Sequence, residues 1–239
     1  MTELPTNDPR VAHDPNLYST FGSMKLLREV ADHCTRCDLH QTRTQVVFGV
    51  GPEEINIVVV GEGPGEEDDA QGKPFVGRSG RLLDSLLREG GLSRESVWVT
   101  NVVKSRPSTL ENGYIKNRSP NALEIKACEI WWQNELKLLK PKIVVCLGAT
   151  AAKTLTGNKT FQITKDRGVW LAGPEDSELF VTFHPAYILR LREPQLSEVK
   201  QIVVEDLVKV TQRCEALKNG TAEPHSWQRP PEGQQLSLF

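Results

Sequence analysis

Apolar residues along this chain fall into short runs that alternate with stretches of helical spacing. Five runs read as strands: "VVFGV" (46–50), "INIVVVG" (55–61), "SVWVTNVV" (96–103), "KIVVCLG" (142–148) and "LFVTF" (179–183). Their near-continuous Val and Ile content suits strands buried on both faces, as parallel sheets require. Between them the period lengthens to that of a helix, at 24–34, 79–91, 119–140, 149–157 and 196–214. In "SGRLLDSLLREGG", Leu82, Leu83, Leu86 and Leu87 share one face, and Gly90 and Gly91 end the helix. Ser119 and Pro120 have the chemistry of a cap and a first helical position for the next helix, which Pro141 stops. Strands alternating with helices predict an α/β fold, with a parallel sheet covered on both faces. Residues 105–118 read as a polar loop.

The two ends lack any period. Residues 1–22, rich in Pro, Asp and Asn, are expected to form a mobile arm, and 216–239, rich in Pro, Gln and Glu, a disordered tail. That leaves 23–215 as one folded domain. Apolar residues make up 38% of the 239 and charged residues 25%, a globular balance with chain enough for a substantial core. No apolar run is long enough to span a bilayer, and the acidic start "MTELPTNDPR" has no signal-peptide character, so a cytoplasmic protein without membrane contact is expected. A formal charge of −2 gives no general attraction to nucleic acid, so such a partner would need a local basic surface. Five cysteines in a cytosolic chain read as buried thiols or metal ligands before disulfides.

Open α/β sheets bind ligands at the carboxyl ends of their strands. Three such ends carry polar residues: Glu62 after "INIVVVG", Asn101 in "VWVTN" and His184 after "LFVTF". Each alone has an ordinary reading as a turn former or a satisfied side chain. Together, from distant parts of the chain, they point to one cleft. The loop "GEGPGEEDDAQGKPF" (61–75) has the glycines of a phosphate cradle, yet Pro64 removes a backbone donor and four consecutive acids, Glu66 to Asp69, would repel a pyrophosphate. Those acids could hold magnesium or form a solvated turn. A neutral heterocycle fits the loop better. Backbone amides would hold it, the Phe75 ring would stack on it, and the Asn101 amide offers a donor and an acceptor to a base edge.

Four motifs, "GEGPGEEDDAQGKPFVGRSGRLL", "VTNVVKSRP", "LGATAAKTL" and "FHPAYILR", together resemble the family 4, iron–sulfur-containing uracil-DNA glycosylases of bacteria, from about Cys34 to the C-terminal helix. The resemblance implies a three-layer α/β/α fold around a central, mainly parallel four-stranded sheet. It implies a base-excision repair hydrolase that cuts the N-glycosidic bond of deoxyuridine in single- or double-stranded DNA, releasing uracil and leaving an abasic site. Amides around Gly63 would bind a uracil oxygen, Phe75 would stack on the flipped ring, and Asn101 would read the edge that distinguishes uracil from cytosine. His184 would donate to O2 as charge develops on the leaving base. Related enzymes with a "GQDPYH" loop place an Asp where this chain has Gly63, so the carboxylate that directs water must be a neighbour, Glu62, with Glu67 as the alternative. One branch of the superfamily is trapped covalently on uracil-DNA through a loop histidine. Asn117 stands near that place here, and an amide is no nucleophile, so turnover is expected. A catalytically silent uracil-DNA-binding module and a small-molecule hydrolase or nucleotide-binding enzyme are the rival classes.

Cations gather in three stretches: Lys73, Arg78 and Arg81; Lys104, Arg106, Lys116 and Arg118; and Arg190 and Arg192. Beside one cleft they suit phosphate positioning, with Arg78, Lys104, Arg118 and Arg190 as the expected contacts. Tyr187, Leu189 or Arg190 would fill the hole left by the flipped base. "CTRC" pairs Cys34 with Cys37, and the resemblance adds Cys128 as a further ligand of a 4Fe-4S cluster. It also calls for a cysteine after "NVVK", where this chain has Ser105. Cys146 could substitute or be an ordinary buried thiol, the reading also given to Cys214. Finally, "QLSLF" resembles the peptide by which bacterial repair enzymes and polymerases hold the sliding clamp, with Gln235, Leu236, Leu238 and Phe239 as its contacts. A monomer is expected.

Overall fold

The computed structural model describes residues 21–222; most of the N-terminal arm and the clamp-like residues Gln235, Leu236, Leu238 and Phe239 lie outside them. The chain opens with α1 (Met24–Asp32), whose cap is the Ser23 hydroxyl accepting from the Leu26 amide at 3.3 Å. There follow β1 (Ile57–Gly61), α2 (Glu66–Gln71), α3 (Arg78–Glu89), β2 (Trp98–Asn101), β3 (Ser108–Glu111), β4 (Tyr114–Asn117) and α4 (Ala122–Leu139). The second half contains β5 (Ile143–Leu147), α5 (Ala149–Thr156), α6 (Ile163–Asp166), β6 (Trp170–Ala172), β7 (Glu178–Thr182), α7 (Pro185–Ile188) and α8 (Gln195–Lys218).

The main sheet has five strands in the order β2-β1-β5-β7-β6. Pairings β1–β2, β1–β5 and β5–β7 are parallel, which gives the four parallel strands expected. The fifth strand, β6, is an antiparallel edge of three residues, too short to register as a period in the sequence. "VVFGV" forms no strand of its own. Val47 N–H donates to the Lys104 carbonyl at 2.7 Å, and Val50 makes a single bridge to Val99.

Successive side chains of a strand point to opposite faces, and the core divides accordingly. Val58, Val60, Val144, Cys146 and Val181 pack with residues of α1, α4 and α5, such as Leu27, Trp131 and Ala152. Ile57, Val59, Val145, Leu147 and Phe180 pack with residues of α3 and α8, such as Leu83, Leu87, Val203 and Leu207. The result is a three-layer α/β/α fold. No helix among the described residues is long and apolar enough to cross a membrane.

Three boundaries differ from the sequence reading. The cap of α4 is Asn121, not Ser119: its side chain accepts from the Glu124 amide at 2.9 Å, and Glu124 accepts from the Asn121 amide at 2.8 Å. Helix α8 runs on to Lys218. Residues 105–118 contain the β3–β4 hairpin, whose turn residues Asn112 and Gly113 take φ of 52° and 80°, as a two-residue hairpin turn requires.

Lys104, expected to face a phosphate, is instead 2% exposed. Its ammonium donates to Glu135 Oε2 (2.5 Å), Thr100 Oγ1 (2.6 Å) and the Asn101 carbonyl (2.8 Å), which uses all its donors. Glu135, fully buried on α4, also accepts from the Gly49 amide at 3.0 Å and from Thr100. A cation enclosed in this way cannot reach DNA. It ties the carboxyl end of β2 to α4.

Candidate active site

Strand register assembles the site. Gly61 pairs with Asn101, Val60 with Cys146 and Leu147 with Thr182, so the four parallel strands end level with one another. The chain lays β2 on one side of β1 and β5 on the other, the reversal at which open sheets bind ligands. Residues leaving those ends, Glu62, Gly148 and His184, line one cavity of about 570 Å³ together with Gly63, Phe75 and Thr150.

Asn101 lies just behind this wall. It is 1% exposed, and neither its amide nitrogen nor its oxygen has a hydrogen-bond partner. An open buried donor or acceptor costs about 1–3 kcal/mol. A Cβ added at Gly61 would sit 2.4 Å from both Asn101 Oδ1 and the Phe75 ring, so the amide and the ring flank a position that only glycine can fill.

Phe75 is held in place by its backbone. Its φ of 55° is in the left-handed region, which costs a non-glycine residue on the order of 1–3 kcal/mol. Its carbonyl accepts from Arg94 Nη2 at 2.7 Å, and Arg94 is in turn fixed by Asp84 at 2.5 Å. Gly80 approaches the same carbonyl so closely that a Cβ would lie 1.8 Å from the oxygen. The ring stacks against His184, with centroids 5.6 Å apart and planes 30° apart.

His184 Nδ1 accepts the Ala186 amide at 3.0 Å, so the proton of the neutral ring sits on Nε2. Burial, followed by the charge of Arg190, lowers its pKa to about 4. The imidazole is therefore a neutral Nε2–H donor near pH 7. Glu62, half-buried at the exit of β1, accepts from Thr150 Oγ1 at 2.5 Å. Thr150, in the first turn of α5, thus fixes the carboxylate; nothing in "LGATAAKTL" marked it for that work.

A second cluster lies on the α1/α4 side. The Cys128 thiol hydrogen-bonds to Cys37, and this contact foremost lowers Cys37 to about 6 while raising Cys128. Burial raises Cys34, whose thiolate the Arg43 charge favours, as it also does for Cys37. The Lys104 amide donates to Cys128 Sγ at 3.4 Å, and Arg43, whose charge acts on Cys34 and Cys37, donates to Ser105 Oγ at 3.3 Å. Cys146 lies in the sheet, fully buried and raised by burial alone, as an ordinary core thiol. Among the described residues no three His, Cys, Asp or Glu side chains surround a single metal ion.

The uracil-DNA glycosylase superfamily model matches residues 48–208. A type-4 uracil-DNA glycosylase from Thermotoga maritima is 43% identical over 196 residues, 81% of this chain and 95% of its own length. The type-4 enzymes of Sulfurisphaera tokodaii and Archaeoglobus fulgidus are 37% and 36% identical, over 84% and 74% of this chain and 89% of their own lengths. The chain belongs to the type-4 uracil-DNA glycosylase family.

Within this family member the acidic loop divides its roles. Glu67 is exposed and pairs with Arg81 at 3.4 Å, away from the cavity. Asp68, not singled out in the sequence, lines the cavity and accepts from the Gly65 amide (3.0 Å) and the Val76 amide (2.8 Å), pinning both ends of the loop. Its place three residues after the Gly65 cap was the readable signal. Among the cations, Arg78 is exposed at the start of α3 and Arg190 is exposed at the cavity rim. Tyr187 lines the cavity and stacks on Phe183 at 5.3 Å. Arg118 also lines it, but its guanidinium is committed to Glu124 (2.5 and 2.8 Å) and to the Ser108 carbonyl (3.1 Å). It braces the hairpin, and Glu124 raises its pKa.

The state of His184 sets a pH dependence. Its folded pKa of about 4 lies below the ordinary value near 6.5, so the native ring stays neutral through that interval while the unfolded chain takes up a proton. Stability from this group is therefore full above pH 6.5 and declines as pH falls toward 4. The expected kcat/KM profile has no histidine inflection near pH 6.5. An inflection there that vanishes in His184→Gln would overturn the assignment of a neutral donor.

Proposed function

We propose that this chain hydrolyses the N-glycosidic bond of deoxyuridine in DNA, with the residues around the cavity in the following roles. Phe75 stacks on the extruded base, the Asn101 amide takes its O4 and N3–H edge, and backbone amides around Gly63 bind an oxygen. As the C1′–N1 bond breaks, its electron pair stays with uracil, and His184 Nε2–H stabilises the charge at O2. Glu62 orients the water that adds to C1′ and favours the cationic sugar; Thr150 is its positioning residue. Glu67 is the weaker candidate because it is drawn to Arg81. Arg78 and Arg190 remain available for phosphates, and Tyr187 for the space left in the strand. The observation that carries this reading is the buried, unpartnered amide of Asn101 beside Phe75, a specificity element already desolvated for a base. Uracil-containing DNA, single- or double-stranded, is the substrate of a cytoplasmic monomer.

The clustered thiols support a 4Fe-4S cluster held by Cys34, Cys37 and Cys128, with Ser105 at the fourth place. Bound there, the group would supply a covalent tie between the 34–37 loop and α4, beside the exit of β2. The terminal "QLSLF" would bring the enzyme to the bacterial sliding clamp and raise its local concentration on replicating DNA.

Replacing Asn101 by Asp removes the donor to O4, and His184→Ala removes the donor to O2. The latter should slow single-turnover excision by roughly a hundred- to a thousandfold. Wild-type rates in both purified variants would sink these roles. Anaerobically purified protein should be brown and contain iron and sulfide, with the colour lost in Cys34→Ala or Cys128→Ala and kept in Ser105→Cys; stoichiometric zinc in colourless protein would refute the cluster. For the tail, calorimetry should find micromolar binding to the clamp, abolished on deleting 235–239 with excision from short oligonucleotides unchanged. No heat of binding for the intact chain would end that reading.

A further inference from the structure

The β3–β4 hairpin carries apolar surface that the roles above do not use. Its base is firmly held: the Arg118 amide donates to the Pro107 carbonyl at 3.1 Å, and Arg106 Nε to Asn117 Oδ1 at 2.7 Å. Its far half is open to solvent. Partners directly opposite in an antiparallel pair share a face, and the face alternates along the strand. Ser108–Asn117 and Leu110–Ile115 therefore lie on one face, Thr109–Lys116 and Glu111–Tyr114 on the other. Asn117 is part of the cavity wall. The face that begins at that wall thus continues outward as Leu110 and Ile115, which are 71% and 56% exposed.

Cross-strand pairing accounts for apolar residues in a hairpin, but not for their standing uncovered next to the wall of the cavity. On the far side of the same sheet edge, after β7, Leu189 is a further exposed apolar residue, between the cavity-lining Tyr187 and Arg190. Strands β1 and β5 separate the two, so exposed apolar residues follow the chain on both sides of the strand ends that line the cavity. On the hairpin's other face Lys116 and Glu111 pair at 3.0 Å, so the charged side chains stand apart from the Leu110–Ile115 face. The surface suits flat, uncharged groups.

We propose that the Leu110–Ile115 face of the hairpin is a DNA contact, packing against the bases and sugars of the nucleotides next to the flipped uridine on its own strand. The inference rests on the uracil-excision reading. A base drawn into the cavity unstacks its neighbours, and their faces then need an apolar surface, as they find on stacking platforms and inserted wedges elsewhere.

The test compares the full-length wild type with Leu110→Ser/Ile115→Ser and with the conservative Leu110→Met/Ile115→Val. Binding is measured by anisotropy on a single-stranded 19-mer containing a non-cleavable 2′-fluoro-deoxyuridine, with 2-aminopurine beside it reporting local stacking. The serine variant should bind about tenfold more weakly and lose the 2-aminopurine response, because the apolar support of the unstacked base is gone. The difference should persist in 0.5 M salt, because phosphates are not what the hairpin holds. KM should rise with kcat unchanged, and the conservative variant should match the wild type. Equal affinity and equal 2-aminopurine signal in all three proteins would overturn the proposal, including in favour of a protein partner for this face. Failure of the wild type to excise uracil would sink the activity reading alone, since the binding arm judges the hairpin independently.

Discussion

Lys104 and Glu135 meet at 2.5 Å where water does not reach, and the carboxyl end of β2 is built around that meeting. Two ions in a protein interior hold only when their remaining hydrogen-bonding capacity is also met, and here Thr100, Gly49 and the Asn101 carbonyl meet it. Removing one partner of such a pair costs on the order of 3–5 kcal/mol, set against a net stability of about 5–15 kcal/mol for a domain. The pair fixes the backbone from which the Asn101 side chain projects. Through the amide of the same lysine it also touches Cys128. The cavity wall and the thiols are thus held by one residue from two of its ends.

With β2 fixed, the cavity can keep features that a free chain would relax. Asn101 keeps an unsatisfied amide, and Phe75 keeps a left-handed backbone against the pull of sterics. Both are local penalties carried by the packing around them, which is the usual mark of a site shaped for a ligand. The electrostatics are spare. One carboxylate, Glu62, faces the cavity under the hold of Thr150. A neutral imidazole, that of His184, faces the same cavity with its proton directed to Nε2.

The four parallel strands and most helices were legible because their apolar periods are long and their stops are Gly or Pro. The convergence of Glu62 and His184 on one cavity, with Asn101 behind it, was legible because all three stand at strand ends and not because of any one of them alone. Register was not legible, and without it Thr150 could not be set beside Glu62. Lys104 misled because lysines are rarely buried, and the partner that permits it, Glu135, lies 31 positions away on another element. Arg118 misled for a related reason: the carboxylate that occupies it, Glu124, is the capping-box partner of Asn121, and the sequence reading sets the cap two residues earlier, at Ser119. In the acidic loop four like residues in sequence masked the one signal that set Asp68 apart, its place three residues after the Gly65 cap. The hairpin had a local signal, Asn112-Gly113 between short β-prone stretches, that was overridden by the polarity around it.

The brace formed by Arg118 and Glu124 closes the segment between β2 and α4 at its root, so what lies beyond that root is mechanically separate from Asn101. The reacting groups take their positions from strand register and from the Lys104 anchor, neither of which depends on how many residues the connection contains. Such a connection can be lengthened, shortened or exchanged as an interchangeable head on a fixed tool. Diversification of this enzyme toward other strand geometries or lesions would then begin at residues 109–116, which do not line the cavity, and leave the excision machinery untouched.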